Sequence, residues 1–143
     1  VDVATELRTY LKTKSAITAI VGSGTAARIY LFDAPQDRDL PYVVIEVTSG
    51  SAETHLTGSS GIAQNRVTVI CYGATETAAY ALNEAVRVAP LLGYRGTMGS
   101  GTVRDVGDGG GYESGYDPPT TGGNQKRYWT MQHYTITHIQ TTT

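Results

Sequence analysis

The chain has 143 residues, with 13 acidic and 11 basic side chains giving a formal net charge of −2. That length suits one domain with a core of its own, and the charge balance lacks the basic excess of a nucleic-acid-binding surface. Only 17% of residues are charged against roughly 25% in an average soluble domain, glycine (17 residues) and threonine fill the difference, and the single cysteine, Cys71, excludes an intrachain disulfide or a cysteine zinc site.

No apolar run approaches the ~20 residues that cross a bilayer as a helix, so no membrane partner is expected. Val1–Glu6 carry neither the basic nor the apolar region of a secretory signal. With no initiator Met, the chain reads as processed or trimmed, and assembly in a cytoplasm is the expectation.

Val3, Leu7, Tyr10 and Leu11 fall at helical spacing and predict an amphipathic first helix. Ser15 reads as the N-cap of a short further turn carrying Ile17, Ile20 and Val21. Gly22-Ser23-Gly24 ends it. Arg28–Leu31 reads as a short edge strand and Asp33–Asp39 as a polar loop. Pro41 then opens a strand over Tyr42–Ser49, with Val43, Ile45 and Val47 on one face and Tyr42, Val44, Glu46 and Thr48 on the other.

Gly50–Gly61 is rich in small residues and reads as a long loop. Gln64–Tyr72 follows as a strand with Val67, Val69 and Cys71 on one face, so the two strands form an extended hairpin. Cys71 is expected to be buried on the helix-facing side. Thr75 caps a second helix to about Ala89, with Ala78, Leu82, Ala85, Val86 and Ala89 as its apolar stripe, ended by Pro90 and Gly93. Thr102–Val106 opens a strand, and Gly107–Lys126 reads as a second long loop. The last strand, Arg127–Ile139, places Tyr134, Ile136 and His138 on its more buried side, with an irregularity near Met131. Both loops are expected to gain order only in contact with a partner. The pattern predicts an α+β fold: one domain over residues 1–143, with two helices on one face of a mostly antiparallel sheet of four to five strands.

Constellations that carry chemistry are missing from the sequence. His133 and His138 lie five apart on one strand and face opposite sides, and His55 falls in a predicted loop. Asp105 and Asp108 faintly suggest a calcium loop, but Glu113 is at the wrong offset for it. Gly58-Ser59-Ser60-Gly61 lacks the spacing of a nucleophile elbow, and Gly22-Ser23-Gly24 is too short for a dinucleotide fingerprint. The expectation is therefore no enzyme, no catalytic or cofactor-binding residues, no metal and no cofactor. The sheet face away from the helices carries more information. Tyr42, Val44, Ile70 and Tyr72 lie there with Arg66, and if uncovered they predict a subunit interface.

An ordered set of segments spans nearly the whole chain. Arg28-Ile29-Tyr30 follows a helix ending in glycine. Ala34-Pro35-Gln36, Leu40-Pro41-Tyr42-Val43-Val44 and Arg66-Val67-Thr68-Val69-Ile70-Cys71-Tyr72 come next. Ala81-Leu82-Asn83-Glu84-Ala85-Val86-Arg87 and Gly93-Tyr94-Arg95-Gly96-Thr97 complete it. In this order the sequence resembles phage tail-completion proteins, the tail terminator or tail-to-head joining group of long-tailed phages and gene-transfer particles. Pro90 and the glycine-rich insertion between Gly107 and Lys126 depart from that pattern.

The resemblance implies a virion protein of the neck or tail, assembled in the host cytoplasm. It implies a homo-oligomeric ring, typically a hexamer, that caps the head-proximal end of the tail tube and joins it to a head-tail connector or stopper protein. DNA would pass through the ring without specific binding. Two alternatives stand beside this reading. One is another ring component of the neck or tail, such as a connector, stopper or tube protein. The other is a small enzyme or ligand-binding domain, which would show a titratable pocket.

Overall fold

Helical spacing at the N-terminus resolves into two helices. α1 spans Val3–Leu11 and buries Val3, Ala4, Leu7, Tyr10 and Leu11. α2 spans Ser15–Val21 and buries Ile17 and Val21. Between them the Thr13 and Lys14 amides donate to the Tyr10 and Leu11 carbonyls, which tightens and ends α1. Lys14, not Ser15, occupies the cap position of α2, and its side chain makes no capping bond. Ser15 is already helical, which corrects the expected N-cap.

The computed structural model describes residues 3–32, 40–55, 58–98, 101–117 and 127–139, of which 48–55, 58–61, 89–90, 101 and 109–112 are described by backbone alone. The polar stretch 33–39 and the end of the second expected loop, 118–126, lie outside the described residues.

Six strands follow: β1 (Ile29–Leu31), β2 (Tyr42–His55), β3 (Gly58–Gly73), β4 (Gly96–Met98), β5 (Gly101–Asp117) and β6 (Arg127–Ile139), with helix α3 (Glu76–Val86) between β3 and β4. They form one sheet in the order β1-β2-β3-β6-β5-β4. β1 runs parallel to β2, and every other pair is antiparallel. The fold is α+β as the pattern predicts, but among the described residues it has six strands in a mixed sheet and three α-helices. The additional strand is β4, only three residues long; apart from the count, two segments that read as loops are strands.

The first of these is Gly50–Gly61. Most of it is the outer arm of the β2–β3 hairpin, where Ser49 pairs with Arg66, Gly50 with Asn65, Ser51 with Gln64 and Ala52 with Ala63. The second is Gly107–Asp117, the far half of β5, where Ser114 pairs with Thr130 and Asp117 with Arg127. Glycine and serine weaken a strand by their own propensity. A ladder, however, is made by backbone groups, and the β-branched and aromatic run of β6 supplies a strong template on one side. Four steps from Asp108 to Tyr112 oppose two from Tyr134 to Gln132, so the Gly109–Gly111 run takes up extra length as a bulge. The irregularity expected near Met131 thus sits on β5. β6 itself pairs with β3 without a break from Ile139 to Tyr128.

The hairpin and the phase of the last strand agree with the sequence reading. Tyr134, Ile136 and His138 are buried, as are Thr130 and Gln132 on the same side. Thr75 caps α3, its Oγ1 accepting from the Ala78 amide at 3.1 Å. The stripe of α3 is rotated from expectation: Ala79, Leu82, Asn83 and Val86 are buried, and Ala78 is exposed. The helix continues as one π turn over Arg87–Leu91.

The main core lies between helices and sheet. It joins Leu7, Leu11, Ile17 and Val21 to Val43, Ile45, Val67, Val69, Cys71, Leu82, Val86, Tyr134 and Ile136. α1 touches β1 and β2 at one end of the strand order and β4 at the other, so the sheet curls around it. Tyr10 stacks on Tyr94 at 4.4 Å, tying α1 to the approach to β4.

Candidate assembly surface

Alternation along the strands puts a second set of side chains on the sheet face opposite the helices. The register lines them up in rows. Tyr30, Val44, Ile70 and Met131 form one, and Tyr42, Tyr72, Trp129 and Gly115 the next. The strand phases thus bring Tyr42, Val44, Ile70 and Tyr72 together, with Arg66 further along β3.

This face is not the bare surface the helix count suggests. Tyr42, Val44 and Ile70 are 3%, 4% and 6% exposed and form a second small core, shielded by Tyr30, Leu40, Tyr72, Trp129 and Met131. Large aromatic side chains on neighbouring strands lean over their smaller neighbours and cover the sheet without a helix. Tyr30 meets Tyr42 edge-on at 5.9 Å, and Tyr42 lies 4.8 Å from Tyr72. A Cβ built on Gly115 would overlap the Trp129 indole, so glycine there is what lets the indole lie across β5. Of the five residues expected at an interface, Arg66 is exposed and Tyr72 half-buried.

Arg127 organises the end of this face. Its Nε donates to Asp117 Oδ2 at 2.8 Å, its Nη1 donates to the Tyr42 hydroxyl at 2.6 Å, and its guanidinium lies 4.9 Å from the Tyr72 ring centre. Burial pushes the Tyr42 and Tyr72 hydroxyls above their ordinary range, with the Arg127 charge opposing it. Both stay neutral at physiological pH. An open pocket of about 120 Å³ lies here, lined by Phe32, Tyr42, Val44, Glu46, Ile70, Tyr72 and Arg127. Phe32 is 55% exposed and has φ of +65°, which non-glycine residues rarely adopt. Its amide donates to the Ile45 carbonyl at 2.8 Å, extending the β1–β2 ladder by one bond. Sequence reasoning passed over Phe32, Trp129 and Arg127. The one available signal was that Phe32 is the only phenylalanine.

The titratable groups are dispersed. His133 shares a hydrogen bond with Thr68 on this face at 2.8 Å, while His138 faces the helices and bonds Asn65. His55 lies in strand β2, not in a loop. Asp105 pairs with Thr137 and Asp108 with Tyr134, so they point to opposite faces. Among the described residues no group of three or more His, Cys, Asp or Glu is placed to hold a metal ion. Cys71 is fully buried on the helix side, and burial pushes its thiol far up, which makes it an inert core residue.

Residues 5–89 match the protein family described as Tail completion protein gp17. No curated protein matches the chain. Among solved structures, a chain of the "Virion of native gene transfer agent (GTA) particle" is similar over 95% of this chain and 94% of its own, with a TM-score of 0.62 and 13% identity. At that identity the likeness is one of fold.

Proposed function

The chain belongs to the Tail completion protein gp17 family, structural proteins of the virion tail, and from that premise we propose that it acts as a single domain in a homo-oligomeric ring that ends the tail tube. Six copies would match a sixfold tube. The ring would stand at the neck, between the tail tube protein and a head-tail connector or stopper, and DNA would pass through it without base-specific contact. Assembly in the host cytoplasm fits this role.

The observation that carries the reading is the family match, which runs from α1 to the end of α3 and so includes β1, β2 and β3 of the aromatic face. The low charge and the exposed Phe32 suit a surface that is covered in an assembly. The contact face would use Arg66, Tyr72 and Phe32 directly. Tyr42, Val44 and Ile70 would support them from beneath.

The test is to produce particles lacking this protein and image them. Tubes of irregular or excess length without heads, restored by adding the purified chain, are expected. One labelled ring per tail is also expected. Many stacked labelled rings would favour a tube protein, and normal tails without the protein would remove the reading.

A further inference from the structure

We propose that the open pocket on the aromatic face is a cation-accepting socket whose occupant is the Arg104 side chain of a second copy of this chain; the inference rests on the ring assembly read above. Three aromatic side chains, Phe32, Tyr42 and Tyr72, line the pocket with the carboxylate of Glu46. Arg127 also lines it, but its charge is matched by Asp117 at 2.8 Å. Glu46 has no hydrogen bond or ion pair among the described residues and is the pocket's uncompensated charge. Aromatic rings attract cations through their negative faces. The chain's own Arg127 guanidinium already lies 4.9 Å from the Tyr72 ring centre, so Phe32 is the ring left for an incoming cation. Phe32 is held at positive φ at the pocket rim with its ring 55% exposed, which leaves one aromatic wall open for an incoming group.

Arg95 and Arg104 are the exposed cations with no partner among the described residues. Arg104 is the better positioned. It is the bulged residue of β5, between the pairs Val103–His138 and Asp105–Thr137, so its backbone is fixed on both sides while its side chain stands free. It cannot fill the pocket of its own chain. Glu46 pairs with Thr68, and Thr68 with His133, so it sits four to five rows along the sheet and three strands across from Arg104, roughly 20 Å at ~3.3 Å per residue and ~4.8 Å per strand and beyond the reach of the two side chains. Socket and plug are therefore different surfaces, and a contact between them is head-to-tail, the kind that closes into a ring when its rotation divides the circle.

Sedimentation over a concentration series tests this on the wild type, Glu46→Arg, Arg104→Glu, the double swap and Arg95→Glu, with circular dichroism as the check on folding. Each single reversal at the socket or plug is expected to weaken self-association by about tenfold or more, and the swap to restore it to within about threefold. Arg95→Glu should match wild type. If Glu46→Arg does not fold, Glu46→Gln takes its place, with a smaller loss expected and with Arg104→Gln adding nothing further to it. Single reversals that associate like wild type overturn the proposal, as does a swap no better than its parents or an Arg95→Glu loss equal to that of Arg104→Glu. Those outcomes leave the ring reading standing. A wild type that stays monomeric at every concentration removes the ring reading, and the socket with it.

Discussion

His138 is buried on the helix-facing side of β6 beside Asn65, and burial holds its imidazole below the ordinary value of 6.5. As pH falls through 6.5 the unfolded chain takes up a proton that the folded one resists. The unfolded state then binds more protons, so stability is complete above this window and is lost on acidification towards the depressed folded value. Urea midpoints at about pH 7.5 and about pH 5.5 should fall further for wild type than for His138→Gln. Equal falls would show that His138 does not couple folding to pH. Gly115 makes a second prediction at this scale. Gly115→Ala must displace the Trp129 indole, at a cost of about 1–3 kcal/mol for overpacking, read as a lower urea midpoint and altered Trp129 fluorescence.

The junction of β3 and α3 shows how one element is set against another. A Cβ on Gly73 would lie 2.7 Å from the Ala79 amide nitrogen and 3.1 Å from the Ala78 carbonyl carbon. Both are backbone atoms of the first turn of α3, so the helix itself would have to move. Gly73→Ala should destabilise by about 1–3 kcal/mol, and Thr75→Ala by about 1 kcal/mol through loss of the N-cap. The two residues serve one helix start, so a double variant should depart from additivity; strict additivity in urea melts would mean that the close approach and the cap are independent. The same element also shows a limit of pattern reading. Alanines at 78, 85 and 89 fit an apolar stripe, but alanine is at home on either side of a helix. The larger Leu82 and Val86, with Ala79 and Asn83 beside them, fix which side is buried.

For the molecule as a whole, the covered aromatic face changes what a test of assembly can use. Ile70→Asp would put an unpaired charge into the second core, where Ile70 is 6% exposed, and should unfold the chain instead of yielding a folded monomer. Phe32 gives the cleaner probe. Asparagine adopts positive φ more readily than phenylalanine, so Phe32→Asn should melt at or above the wild-type temperature. It removes the exposed ring, and should weaken self-association and leave tails uncapped. A variant that caps tails at normal length would place the contact elsewhere.

Alternation and helical spacing were enough to place β1, β2, β3 and β6, the phase of each core strand, the Thr75 cap and the burial of Cys71, because these depend on side chains that water rejects or accepts locally. The ordered segments from Arg28 to Thr97 likewise pointed to the tail-completion family before any contact was known. The strand character of 50–55 and 107–117 depended on the tertiary structure, because a ladder partner distant in sequence offers backbone bonds to residues whose own propensity is for loops. The covering of Tyr42, Val44 and Ile70 was decided there as well. Tyr30, Tyr72, Trp129 and Met131 come from three different strands, and only the sheet order and register set their side chains over that face.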